Sequence, residues 1–178
     1  MIFKKQNIAD VFLIEAQCNK DDRGLFRRHY CENELKQNGI DFKVKQGNVS
    51  ENEKKSILRG FHYQKLPSKE SKIISCIRGS VFNVVVDLRK TSPTFLQFQE
   101  FNLSSDGKES LFIPVGCANA FLTLEDNTWI HYYMNDFFST DSLGFRYNDP
   151  TFSIKWPLLP IHISDKDRNC PDLNIELL

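Results

Sequence analysis

The sequence predicts an all-β domain of closed or double-sheet, jelly-roll architecture, and three observations carry that expectation. Short segments rich in β-branched and aromatic residues recur along most of the chain. Turn-forming clusters separate them. Fifteen phenylalanines in 178 residues supply the aromatic surface that pleated sheets favour.

Taken in order, a strand is expected over residues 11–15, followed by a turn at Asp22-Arg23-Gly24. Residues 32–37 read as the one persuasive helix among the first hundred, with Gly39 placed to end it. Further strands are expected over 42–46, 72–77, 81–88, 95–103 and 128–134. Arg78-Gly79-Ser80, Ser92-Pro93 and Ser105-Asp106-Gly107 mark turns between them. In the segment 81–88, Phe82, Val84, Val86 and Leu88 alternate with Asn83, Val85, Asp87 and Arg89, so one face is the more apolar. The last twenty residues, after Trp156-Pro157, carry few strand signals and should cross the barrel as loop and a short helix.

A length of 178 residues without internal repeat or linker-like shift argues for one domain over 1–178. Hydrophobic residues at 40% and charged residues at 26% argue against a disordered chain and a membrane protein. Lys+Arg and Asp+Glu balance at 23 each, so nothing draws the chain as a whole to nucleic acid. The longest mostly apolar stretch, 111–124, is broken by Pro114, Gly116 and Asn119 and is too short to span a bilayer. Cys18, Cys31, Cys76, Cys117 and Cys170 are odd in number and scattered, which fits free thiols. With no signal-peptide core at the N-terminus, a cytoplasmic protein is expected.

Of the four histidines, His62 stands apart by its neighbours. It lies in Arg59-Gly60-Phe61-His62-Tyr63-Gln64, after the polar run Gln46-Gly47-Asn48-Val49-Ser50. Two extended segments so polar suit the lining of a ligand cavity better than a plain core wall. A jelly-roll metal site would need a His-x-His pair and a further His beyond a Pro-x-Gly turn. Here those positions hold Gln64 and Asn119, so metal-free chemistry is expected. In a regular strand Arg59 and His62 would point to opposite faces. Either a bulge at Gly60 re-aims one of them, or they line different parts of a deep site.

The chain resembles the dTDP-4-dehydrorhamnose 3,5-epimerases over nearly its whole length. The segments that carry the resemblance are Asp22-Arg23-Gly24-Leu25-Phe26, Gln46 to Ser50, Leu58 to Gln64 and Val84 to Arg89. Ser92 to Phe95, Ile113 to Gly116, Asn148-Asp149-Pro150, Ile154 to Pro157 and Ser164-Asp165-Lys166-Asp167 continue it. The resemblance implies a cupin-like double-stranded β-helix (a jelly roll with a few short helices), a homodimer, and no cofactor. It implies a nucleotide-diphosphate sugar as substrate, a 4-keto-6-deoxyhexose epimerised at C3, C5 or both. A ketone at C4 acidifies both neighbouring carbons, so a base, an opposing acid and a cation for the enolate oxygen suffice.

By the same resemblance His62 is the base and Asp167 the carboxylate that orients it. Tyr132 is the opposing acid, and Lys72 the cation at the C4 oxygen. Arg59 and Arg23 match diphosphate-binding positions, where guanidinium forks suit phosphate. Phe26 would stack on the base, Gln46 and Asn48 would hydrogen-bond ligand, and Lys166 is a further candidate. Three positions depart from the family. Asn119 takes the place of a ligand-contacting His, Arg28 that of a glutamate at the nucleotide, and Phe137-Phe138 that of a tyrosine pair. They point to retained proton chemistry on a substrate altered in its nucleotide, its sugar or the carbons inverted. The alternatives are a C3-only epimerase, a ketoisomerase, or a non-catalytic nucleotide-sugar-binding cupin.

Overall fold

The structure, a computed structural model, describes residues 1–64, 67–137 and 142–178. In chain order its strands are β1 (Ile2–Lys5), β2 (Phe12–Glu15), β3 (Cys18–Asp21), β4 (Gly24–Arg27), β5 (Gln46–Asn52), β6 (Ile57–Gln64) and β7 (Lys72–Arg78). There follow β8 (Ser80–Asp87), β9 (Phe98–Ser104), β10 (Glu109–Ile113), β11 (Cys117–Thr123), β12 (Thr128–Met134), β13 (Ser142–Gly144) and β14 (His162–Ile163). Helices α1 (Glu32–Gln37) and α2 (Asp165–Arg168) lie outside the sheets.

Two sheets face each other. The first runs β1-β2-β10-β7-β12-β5, and the second β13-β6-β11-β8-β9 with β14 added in parallel to β6. Strands β3 and β4 form a separate hairpin with Arg23 in its turn. Leu111, Ile113, Ile74, Ile130, Val81, Val85, Phe121 and Leu103 meet between the sheets in one cluster. The back of each sheet is also covered. Helix α1 and Phe42 close the first sheet over Ile14, Ile73 and Phe112, while Phe145, Phe152 and Trp156 close the second over Phe61, Val84 and Leu122.

The expected all-β jelly roll, the helix over Glu32–Gln37 and the short C-terminal helix are all present. The alternation of β8 takes an unexpected sense. Its more apolar face (Phe82, Val84, Val86) lies outward beneath the C-terminal segment, and its more polar face (Asn83, Asp87, with Val85) lines the interior. An interior wall that carries polar side chains is what a ligand site requires.

Two expected strands are corrected. Residues 42–45 make no ladder, because Phe42 and Val44 are drawn down onto the back of the first sheet and pairing begins only at Gln46. Residues 95–97 belong to a turn tied to Asp87, so β9 starts at Phe98. The β3–β4 hairpin gave no strand signal, because Cys18–Asp21 is exposed throughout and carries no apolar alternation.

Candidate active site

The site begins with an irregularity in β6. Opposite β11, Asn119 pairs with His62 and Phe121 with Arg59, so Gly60 and Phe61 together face Ala120. This two-against-one bulge restores both Arg59 and His62 to the inner face. Phe61 turns outward and stacks on Phe145 at 4.6 Å between ring centroids. Of the two arrangements open to the sequence, the bulge at Gly60 is the one adopted. Gly60 has φ 105°, and a Cβ there would lie 2.5 Å from the Asn119 carbonyl oxygen, so no other residue fits.

Across the end of β6 lies the C-terminal segment. Strand β14 pairs with Ile57 and Leu58, and Ser164 then caps α2 by accepting a hydrogen bond from the Asp167 N–H at 3.1 Å. Asp167, 5% exposed, thereby reaches back to β6. Its Oδ2 accepts from the Gly60 N–H at 3.1 Å, and its Oδ1 lies 2.8 Å from His62 Nε2. Burial pushes the carboxyl up, but hydrogen bonds and charge from His62, with the Gly60 N–H and Ser164, hold it below its ordinary value. An ionised carboxylate only accepts, so Nε2 is the His62 nitrogen that donates to it, and in a neutral ring that arrangement leaves the Nδ1 lone pair free. That is the form of imidazole a general base needs.

The opposite wall comes from the first sheet. Tyr132 packs with the inner cluster and pairs across strands with Asn48, while Gln46 and Asn52 share that face of β5. Burial raises the Tyr132 phenol, with the Arg59 charge drawing it partway back, so the hydroxyl keeps its proton. Lys72 lies on the same face as Ile74 and forms an ion pair with the buried Glu70 at 3.0 Å. Gln46 donates to Asn48 at 3.3 Å, and Asn48 reaches Met134 Sδ at 3.4 Å. Arg59 bridges the two walls, its Nε donating to Asn52 Oδ1 at 2.9 Å. A cavity of about 360 Å³ lies against Arg59, Asp167 and Ile161.

A histidine paired with a buried carboxylate on the second sheet, and on the first a tyrosine that keeps its proton and a lysine, are residue types suited to moving protons. Comparison with known proteins agrees. Residues 5–174 match the family model described as dTDP-4-dehydrorhamnose 3,5-epimerase. The chain belongs to that family. It is 37% identical to the dTDP-4-dehydrorhamnose 3,5-epimerase of Shigella flexneri over 93% of this chain and 92% of that protein. The solved epimerase of Bacillus anthracis, with TDP and PPi bound, superposes with a TM-score of 0.93 at 36% identity, covering 97% of this chain and 99% of its own. That of Legionella pneumophila, in complex with dTDP-4-keto-L-rhamnose, gives 0.92 at 31% identity over 99% and 96%.

Not every residue expected in the site comes together in this chain. Arg23 sits in the β3–β4 turn and forks onto Asp21, with 85% of its side chain exposed. Phe26, 74% exposed, projects from the same hairpin. Arg28 pairs with Glu34 at 2.6 Å, which answers its departure from the family's glutamate with a carboxylate of its own. Lys166 is exposed on α2 beside Asp167. Asn119 is 7% exposed, and its amide meets that of Asn83 at 2.7 Å and the Val84 carbonyl at 3.1 Å. The inner wall thus accommodates Asn119 as one half of a neutral pair. Phe138 lies outside the described residues, while Phe137 is exposed.

Three polar residues that hold the expected ones escaped the sequence reading: Asn52 meets Arg59, Glu70 meets Lys72 and Asn83 meets Asn119. Their signal was parity. Asn52 continues the two-residue spacing of Gln46, Asn48 and Ser50, and Glu70 precedes Lys72 by two. Of the remaining histidines, His162 lines the 360 Å³ cavity beside Arg59 and Asp167. His29 Nε2 is 3.0 Å from Ser75 Oγ behind the first sheet, where burial drives its pKa down to about 4.

Proposed function

We propose that this protein inverts C3, C5 or both of a dTDP-linked 4-keto-6-deoxyhexose through an enolate. The observation that carries this reading is the 2.8 Å contact of His62 with Asp167 on the wall opposite Tyr132. His62 Nδ1 takes the proton from a carbon beside the ketone, and the C–H electrons move into the enolate. The Lys72 ammonium balances charge as it develops on the C4 oxygen, which favours the transition state over the bound ketone. The Tyr132 hydroxyl then delivers a proton to the opposite face of the same carbon. His62 then releases its proton to solvent and the Tyr132 phenolate regains one from it, so the cycle closes on proton transfers alone with no electrons gained or lost.

The nucleotide assignment is supported by the solved relatives, which hold TDP or a dTDP-sugar. A homodimer belongs to the same reading. A ring as exposed as Phe26, beside Arg23 on a hairpin apart from the inner wall, suits a ligand site completed by a second copy. Five free thiols fit the reducing cytoplasm.

Incubation with dTDP-4-keto-6-deoxyglucose in deuterated water tests the reading. Two deuterons incorporated by mass spectrometry, one each at C3 and C5, is the expected result. A single deuteron would assign a C3-only epimerase or ketoisomerase. Tight dTDP binding without incorporation would make the protein a binding module and overturn the catalytic claim.

A further inference from the structure

Asn52 ends β5 and is 1% exposed, yet its side chain is fully engaged. Its Nδ2 donates to two backbone carbonyls, Ser50 at 3.1 Å and Thr128 at 3.0 Å. Those bonds fix the plane of the amide and with it the direction of Oδ1, which also accepts from Ser50 Oγ at 3.3 Å. Along that direction stands Arg59, whose Nε donates to Oδ1 at 2.9 Å from the other sheet. Among the described residues no acceptor meets the two terminal nitrogens of Arg59, which is itself exposed.

A guanidinium is planar and rigid, but four rotatable bonds precede it, and an exposed arginine samples many orientations. Pinning Nε from a buried amide removes most of that freedom before any ligand arrives. It also leaves the remaining edge, with both terminal nitrogens, as a ready fork on a residue that lines a cavity. Such a fork matches two oxygens of one phosphoryl group, and holding it in advance lowers the entropy lost on binding.

We propose that Asn52 is a positioning residue that orients Arg59 for two-point capture of the substrate's diphosphate. The inference rests on the nucleotide-sugar reading above and extends it to a residue with no expected contact to ligand.

The test is dTDP binding by calorimetry, with kcat and KM, for the wild type, Asn52→Ala, Arg59→Ala and the double variant. Asn52→Ala is expected to weaken dTDP roughly tenfold, the worth of one charge-assisted hydrogen bond, with KM rising in step and kcat within about twofold. In the Arg59→Ala background the same change should have no further effect, since nothing remains to orient. Should Asn52→Ala fail to fold, Asn52→Leu fills the volume without an acceptor and serves the same comparison. Unchanged dTDP affinity in the single variant, or an equal loss in the Arg59→Ala background, would overturn the proposal and leave the function standing. A wild type that does not bind dTDP would overturn both.

Discussion

Asp167 decides what His62 can do. By accepting from Nε2 it selects the tautomer with a bare Nδ1, and the bulge at Gly60 turns that ring inward. Replacing Asp167 with Asn removes the charge and lets the amide present a donor instead, which selects the wrong tautomer. Asp167→Asn is therefore expected to lower kcat by on the order of a hundred- to ten-thousand-fold, with dTDP affinity unaffected, as read by steady-state kinetics and calorimetry. The sequence made His62 conspicuous through its polar neighbours, and the family resemblance supplied Asp167 and Tyr132. Spacing could not have done so, because 105 residues separate Asp167 from its partner. Asn83, Asn52 and Glu70 stayed hidden for a different reason. A polar residue in a strand, or just before one as Glu70 is, reads as solvent-facing until the fold shows which face is interior.

At the scale of elements, β6 and β8 carry the lesson. The period of β8 was plain in the sequence, but its sense was not, since the C-terminal segment covers the face that would otherwise have been the core. The hairpin β3–β4 was legible only as its turn, because its strands are almost wholly exposed and so carry no alternation of apolar and polar faces. In β6 the glycine between Arg59 and His62 was the clue to a bulge, and the structure makes it obligatory. Gly60→Ala sets a methyl against the Asn119 carbonyl at a backbone angle that alanine resists. The variant should lose roughly 2 kcal/mol or more in urea denaturation and lose turnover more steeply than nucleotide affinity. Wild-type stability would show that the neighbouring strands yield more than their packing suggests.

For the whole molecule, several segments that carry the family resemblance prove structural. The Asp87 carboxylate accepts from Arg89, Ser92 and Thr94, tying β8 to the Ser92-Pro93-Thr94 turn. Arg89 also reaches Asp10 and the Ala9 carbonyl near the N-terminus. Burial raises Asp87, but these donors outweigh it and hold the carboxyl down at about 2, below the ordinary 3.8. Stability from a carboxylate so depressed is in place above the ordinary value and is lost as pH falls through the folded one. Asp87→Asn should thus cost about 3 kcal/mol at neutral pH, and the gap from wild type should close near pH 2 in acid-series melts. A gap unchanged by acid would mean that the charge on Asp87 contributes nothing. Light scattering tests the proposed homodimer: a mass of twice 20.7 kDa is expected, and one of 20.7 kDa would overturn it.

The account stands on His62 and Tyr132 addressing one sugar ring from facing walls, and deuterium wash-in by their single variants tests this most directly. With dTDP-4-keto-6-deoxyglucose in deuterated water, His62→Ala should incorporate no deuterium. Tyr132→Phe should still exchange at the face that His62 reaches, without inverting the carbon. Exchange by His62→Ala at the wild-type rate would contradict the account.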